Sequence, residues 1–184
     1  MKMTSQLLAT AALGLLSTSA FAQLPVTTNS CDYQVDAVRQ GVHGADDTSA
    51  DGVFWPPNHK LRTVTIEAEN DQEDECNVTI TAVTQDEAVS GAGAGSGQTS
   101  PDAANCSNAG NDSKVDLRGE RSGLGTGRYY KVDFTMDDPD APGQPKMGQA
   151  KLLVPHDQGI VHVGTYVDEG PLFQSAGGPI SCSE

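Results

Sequence analysis

Phe54-Trp55-Pro56-Pro57-Asn58-His59-Lys60 decides how the rest of this chain is read. It holds the single tryptophan of the sequence, two adjacent prolines and a histidine. Each proline fixes φ and lacks a backbone donor, so the segment can be neither helix nor central strand. It predicts a rigid extended approach with a bulky aromatic anchor, delivering the chain into a sheet. Trp55, Pro56, Pro57 and His59 therefore take structural roles in this reading. Directly after it, residues 61–68 alternate. Val64, Ile66 and Ala68 share one face and Thr63, Thr65 and Glu67 the other, the period of a half-buried strand.

The same period recurs on both sides. Residues 33–37 predict a first strand, and residues 76–84 predict a strand with Val78, Ile80 and Ala82 inward. Residues 114–120 place Val115 and Leu117 inward; residues 129–136 place Tyr130, Val132, Phe134 and Met136 on one face. Residues 148–154 supply a partner strand, and residues 160–167 alternate once more. The stretch 90–112, with its Gly-Ala-Gly-Ala-Gly-Ser-Gly run, is expected to be a long exposed loop. No apolar 3.6-residue period is sustained after the first residues. The fold class is all-β, an antiparallel β-sandwich of about seven strands.

Lys2, the apolar run 7–16 and Ala20-Phe21-Ala22 form the three parts of an export signal, expected to span residues 1–22. The apolar run is too short to cross a bilayer. The expected division is a signal peptide at 1–22, a polar leader and first strand at 23–52, the sandwich at 53–159, and an extra strand and tail at 160–184. The product is expected to be secreted, periplasmic or extracellular. There are 25 acidic residues against 11 Lys and Arg, a formal net charge of −14. Such a chain is not drawn to nucleic acid or anionic membrane by charge. A protein or glycan partner outside the cytoplasm is expected instead.

Four cysteines, Cys31, Cys76, Cys106 and Cys182, follow the signal. An even count in an exported chain predicts two disulfides, and the sequence leaves all three connectivities open. The preferred set is Cys31 with Cys182, tying the ends, and Cys76 with Cys106, pinning the long loop. No CxxC pair is present, which argues against thioredoxin-like chemistry and a zinc ribbon.

Asp137, Asp138 and Asp140 cluster in one interstrand loop. Calcium takes several hard oxygen ligands and is the candidate ion there; the alternative is a set of solvated loop acids. The spacing is not that of an EF-hand, and the histidines form no HExxH pair. A Gly-x-Ser-x-Gly elbow is lacking, as is a Gly-Lys-Ser/Thr phosphate loop. No catalytic set or cofactor motif is assigned, and the chain is read as a non-enzyme. Arg121 and Arg128 flank a Gly-rich turn and are expected to pair with acids across that hairpin, whereas Arg118 is expected to face outward.

Three blocks in order carry a family resemblance. They are residues 54–60; Leu117-Arg118-Gly119-Glu120-Arg121-Ser122-Gly123 with Gly125-Thr126-Gly127-Arg128-Tyr129-Tyr130; and Val154-Pro155-His156-Asp157-Gln158-Gly159. Together they resemble bacterial immunoglobulin-like domains of the hyalin-repeat-like type. The resemblance implies an immunoglobulin-like β-sandwich used in exported surface proteins, and it implies no catalytic residues. The expected role is an exported, non-catalytic module for binding or surface assembly. The alternatives are a calcium-dependent adhesion or carbohydrate-binding domain, and a small secreted hydrolase.

Overall fold

The computed structural model describes residues 27–37, 52–89, 99–109, 112–123, 125–156 and 172–183. Among these, nine strands and no helix are found. The strands are β1 (Asp32–Ala37), β2 (Gly52–Val53), β3 (Leu61–Glu69), β4 (Asn77–Gln85), β5 (Ala103–Ala109), β6 (Asp112–Arg118), β7 (Gly127–Asp137), β8 (Lys146–Pro155) and β9 (Phe173–Gln174). The segments at 1–22 and 160–167, read as signal and extra strand, lie outside the described residues.

Two sheets face each other. One has the order β1-β3-β6-β5 and the other β2-β8-β7-β4-β9. Every pairing between strands is antiparallel except β2 with β8, a two-residue parallel pairing of Gly52 with Leu152 and Val53 with Leu153. The core lies between the sheets. It takes Val64, Ile66, Val115 and Leu117 from one side, and Val78, Tyr130, Val132, Phe134 and Leu152 from the other. Alternation sends these side chains inward because each sheet has one dry face and one wet face.

The aromatic plug at the start of the sandwich is Phe54, which is fully buried, while Trp55 beside it is half-buried. Two close approaches fix glycines in the sheet. A Cβ on Gly148 would lie 2.3 Å from the Phe134 ring. Gly127 opens β7 at φ +127°, with the Val154 carbonyl where a Cβ would stand.

The structure corrects three expectations. In β4, the ladder to β7 shifts between Ile80 and Ala82, so Val83 and Gln85 replace Ala82 on the buried face. A bulge of this kind adds a residue and flips the alternation beyond it. Within 90–112, residues 103–109 are not loop but the edge strand β5, built of small and polar residues that a hydrophobicity pattern does not reveal.

The third correction is the disulfide set. Cys31 pairs with Cys76, and Cys106 with Cys182. Cys31 precedes β1 and Cys76 precedes β4, and the two strands begin at the same end of the sandwich, one in each sheet. Because 103–109 is a strand at the sheet edge, Cys106 is presented to the tail running beside it, not to Cys76. No free cysteine is left. Two disulfides suit an oxidising compartment. No helix among the described residues is long and apolar enough to cross a membrane.

Candidate functional site

Among the described residues, a buried cluster of opposite charges lies not at the acidic loop but inside one end of the sandwich. Arg128 stands in β7 on the same face as Tyr130 and Val132, and it is completely buried. Its Nη1 donates to Asp102 Oδ2 at 2.7 Å and its Nε to Glu87 Oε2 at 3.0 Å. Its Nη2 lies 3.7 Å from Glu120 Oε1. Asp102 and Glu120 are also fully buried. The cluster draws on both sheets: Asp102 precedes β5 and Glu120 follows β6, whereas Glu87 follows β4.

The bulge in β4 aims Gln85 into this cluster. Gln85 Nε2 donates to Asp102 Oδ2 and to the Glu87 carbonyl, both at 2.7 Å. Glu87 in turn accepts the Ser122 N–H on both oxygens, which closes the Gly-rich turn over it. Tyr130 Oη donates to the Arg118 carbonyl at 2.8 Å, and the Arg128 guanidinium lies over the Tyr130 ring at 5.9 Å. Burial pushes the carboxyl groups of Asp102 and Glu87 above their usual range, and the Arg128 charge opposes that only in part. Buried Nη2 of Arg128, Oε1 of Glu120 and Oδ1 of Asp102 have no hydrogen-bond partner among the described residues.

From this interior cluster, contacts lead to the surface segment 54–60. Glu120 Oε2 meets His59 Nδ1 at 2.9 Å, and Thr99 Oγ1 donates to the same oxygen. His59 adopts φ 63°, which turns its N–H onto the Gly119 carbonyl at 2.9 Å. Two arginines hold the neighbouring carbonyls. Arg62 donates to those of Trp55 and Pro56 at 2.9 and 3.1 Å. Arg118 donates to those of His59 and Pro101, both at 2.7 Å. The segment is thus fixed from below while Pro56, Asn58, His59 and Lys60 remain exposed.

Arg128 pairs with acids, but as the centre of a buried cluster and not across a hairpin: β6 and β7, on either side of the Gly-rich turn, lie in different sheets. Arg121 has no carboxylate partner among the described residues and donates weakly to Ser122 O at 3.4 Å. Arg118 stays on the outer face, with a largely covered side chain. His156, in the third sequence block, has its Nε2 3.1 Å from Gly123 O.

Asp137, the last residue of β7, and Asp138 and Asp140 just after it sit at the opposite end. Asp137 and Asp140 are exposed and Asp138 is buried. Asp138 Oδ1 accepts from Asn70 Nδ2 at 3.1 Å and from the Asp140 N–H at 2.9 Å. Its Oδ2 accepts from the Ser30 N–H at 2.9 Å and from Ser30 Oγ at 3.3 Å. The Ser30 N–H, with the Asn70 amide and the Asp140 N–H, holds the Asp138 carboxyl below the usual carboxylate range. Asn70 Nδ2 also donates to Asp140 Oδ2 at 3.2 Å. A cation at Asp138 would have to displace these donors. The Asp138 carboxylate also lies beside Cys31 and Cys76, whose sulfurs are joined to each other and offer no thiolate to a metal.

Sequence reasoning missed Asp102, Glu120, Glu87 and Gln85. The inward parity of Arg128 with Tyr130 and Val132 was the available signal, since a buried arginine requires buried acids. A scan against protein-family models finds no match, and searches of curated proteins and of solved structures find none either.

Proposed function

We propose that this chain is an exported, non-catalytic immunoglobulin-like module whose loop end, centred on residues 54–60, binds a protein or glycan partner. The observation that carries the fold half of this reading is strand order. Sheet β1-β3-β6-β5 follows the A-B-E-D order of an immunoglobulin sandwich, and β8-β7-β4 follows G-F-C. The short parallel β2 beside β8 suits a first strand that crosses from one sheet to the other.

The binding half rests on how segment 54–60 is held. Its carbonyls are fixed by Arg62 and Arg118, and its histidine by Glu120, so little further ordering is needed when a partner arrives. It offers a half-exposed indole, proline rings and a row of polar side chains, a composition suited to recognition. Calcium is left out of the proposal because the donors around Asp138 already occupy its oxygens. At that end the Asp138 and Asp140 carboxylates are taken up by the Asn70 amide, Ser30 and the Asp140 N–H, as a scaffold requires.

The test uses the chain from Gln23 onward against defined envelope polysaccharides and extracellular proteins by biolayer interferometry, with a panel of glycoside, ester and peptide substrates alongside. Saturable binding that is lost in Trp55→Ala, without turnover, is the expected result. Turnover of any substrate that disappears in Glu120→Gln would overturn the reading.

A further inference from the structure

The two disulfides differ in what can reach them. Cys31 and Cys76 are both fully buried, whereas Cys106 is 6 % exposed and Cys182 is only partly covered. Cys182 belongs to a strap, residues 172–183, laid along one side of the sandwich between the edges of the two sheets. Its Ser175 N–H donates to Val83 O of β4 at 3.1 Å, and its Ser175 carbonyl accepts from the N–H groups of Asp102 and Ala103 at 2.9 and 3.0 Å. Further on, Ser183 O accepts from the Asn108 N–H at 2.7 Å, and the Ser183 N–H donates to Cys106 O at 3.1 Å. Ser175 is the only residue of the strap that is fully buried. The strap is therefore held by the two-residue β9–β4 pairing, a few further backbone hydrogen bonds, the partly buried Ile180 and one covalent link, with no fully buried apolar side chain of its own.

We propose that Cys106–Cys182 is a thiol-addressable latch, opened by a dithiol reductant while Cys31–Cys76 stays closed. Thiol–disulfide exchange requires a thiolate in contact with one of the two sulfurs. Of the four half-cystines Cys182 is the least covered as a residue, so attack is directed there. Attack there breaks the bond between Cys106 and Cys182, forms a mixed disulfide at Cys182 and releases Cys106 as a thiolate, which takes up a proton. The second thiol of the reductant then closes its own disulfide and frees Cys182 as a thiol. Two electrons and two protons pass from the dithiol to the protein.

Opening has two structural consequences. The N–H groups of Asp102, Ala103 and Asn108 lose their carbonyl partners, so the outer edge of β5 becomes available for strand pairing. Asp102 also loses the backbone anchor that places its carboxylate on Arg128. The latch thereby couples the less deeply buried disulfide to the buried charge cluster.

The test titrates the oxidised chain with dithiothreitol under native conditions, alkylates the released thiols and maps them by mass spectrometry, with amide hydrogen exchange followed in parallel. Cys106 and Cys182 are expected to be labelled about tenfold or more faster than Cys31 and Cys76. In the selectively opened protein, exchange at Asp102, Ala103 and Asn108 accelerates while that at Val115 and Val132 does not. The double variant Cys106→Ser with Cys182→Ser should reproduce the same exchange pattern without reductant. Release of all four thiols in one step would overturn the proposal. So would unchanged protection at Asp102, Ala103 and Asn108 after selective opening, which is read on the native chain whether or not the double variant folds.

Discussion

Arg128 and Asp102 meet at 2.7 Å with neither side chain exposed to solvent. Arg128 belongs to one sheet and Asp102 leads into the edge strand of the other, so the pair ties the two layers together. Burying both charges is costly. What sustains them is the set of groups around them: Glu87 on Arg128, Gln85 on Asp102, and Tyr130 against the guanidinium.

Replacing Arg128 with Met leaves Asp102, Glu120 and Glu87 facing one another without their common cation. The expected loss is about 3–5 kcal/mol in urea unfolding at neutral pH. Adding Asp102→Asn should recover part of that loss, because one stranded charge is removed with its partner. A cost for Arg128→Met no larger than that of an exposed surface pair would show that water already reaches the cluster.

The two ends of the sandwich should respond to pH in opposite directions. Burial raises Asp102 and Glu87, so the folded chain holds their protons longer than the unfolded chain does. Their contribution is full below the ordinary carboxylate range and is lost as the pH rises through the raised folded values. Asp138 is lowered by its donors, so its contribution is present above its ordinary value of 3.8 and is lost as the pH falls through the depressed one. Melting temperatures across acidic pH should therefore show wild type losing ground to Asp102→Asn as the pH rises. The advantage of wild type over Asp138→Asn should shrink as the pH falls. Parallel curves for all three proteins would contradict both assignments.

Gly148 faces Phe134 with no space for a methyl group, since a Cβ there would stand 2.3 Å from the ring. Phe134 is itself held edge-on to Tyr33, with ring centroids 5.0 Å apart. Gly148→Ala is expected to cost about 1–3 kcal/mol through overpacking. Shortening the ring with Phe134→Leu in the same chain should relieve part of the clash, a coupling that a double-mutant cycle measures. Additive effects would mean that the strand moves away instead.

Phe54 and Trp55 are neighbours with different duties. Phe54→Ala empties a fully buried site and should cost about 3–5 kcal/mol, whereas Trp55→Ala should cost under about 2 kcal/mol. Equilibrium unfolding of the two variants distinguishes them. A larger loss at Trp55 would place the indole in the core.

The all-β class was legible because β3, β6 and β7 alternate cleanly, with Val64, Val115 and Val132 at the centre of their inward rows. It failed to extend to β5, whose Ala, Asn and Ser residues carry no strong pattern; the disulfide and the tail hold that strand in place. The inward residues of β4 were read correctly up to Ile80 and wrongly after it, because a single bulge exchanges the faces and leaves little trace in composition. The charge cluster was hidden for a related reason. Asp102, Glu120 and Glu87 are far apart in sequence and only the crossing of the two sheets brings them to Arg128. The disulfides were underdetermined because pairing depends on which strand ends are adjacent.

The order of the cysteine pairs has a consequence for how the chain acquires them. Cys31–Cys76 spans 45 positions and Cys106–Cys182 spans 76, so one ring finishes before the next begins. The first cysteine joins the second, and the third joins the fourth. An oxidant acting on the polypeptide as it lengthens would close the native rings in turn, with no need to shuffle them afterwards. Strand β4 lies in the stretch between the rings, in neither of them. That strand, with β7 on one side and the tail on the other, begins directly after Cys76 and so is fixed at its start as soon as the first ring closes.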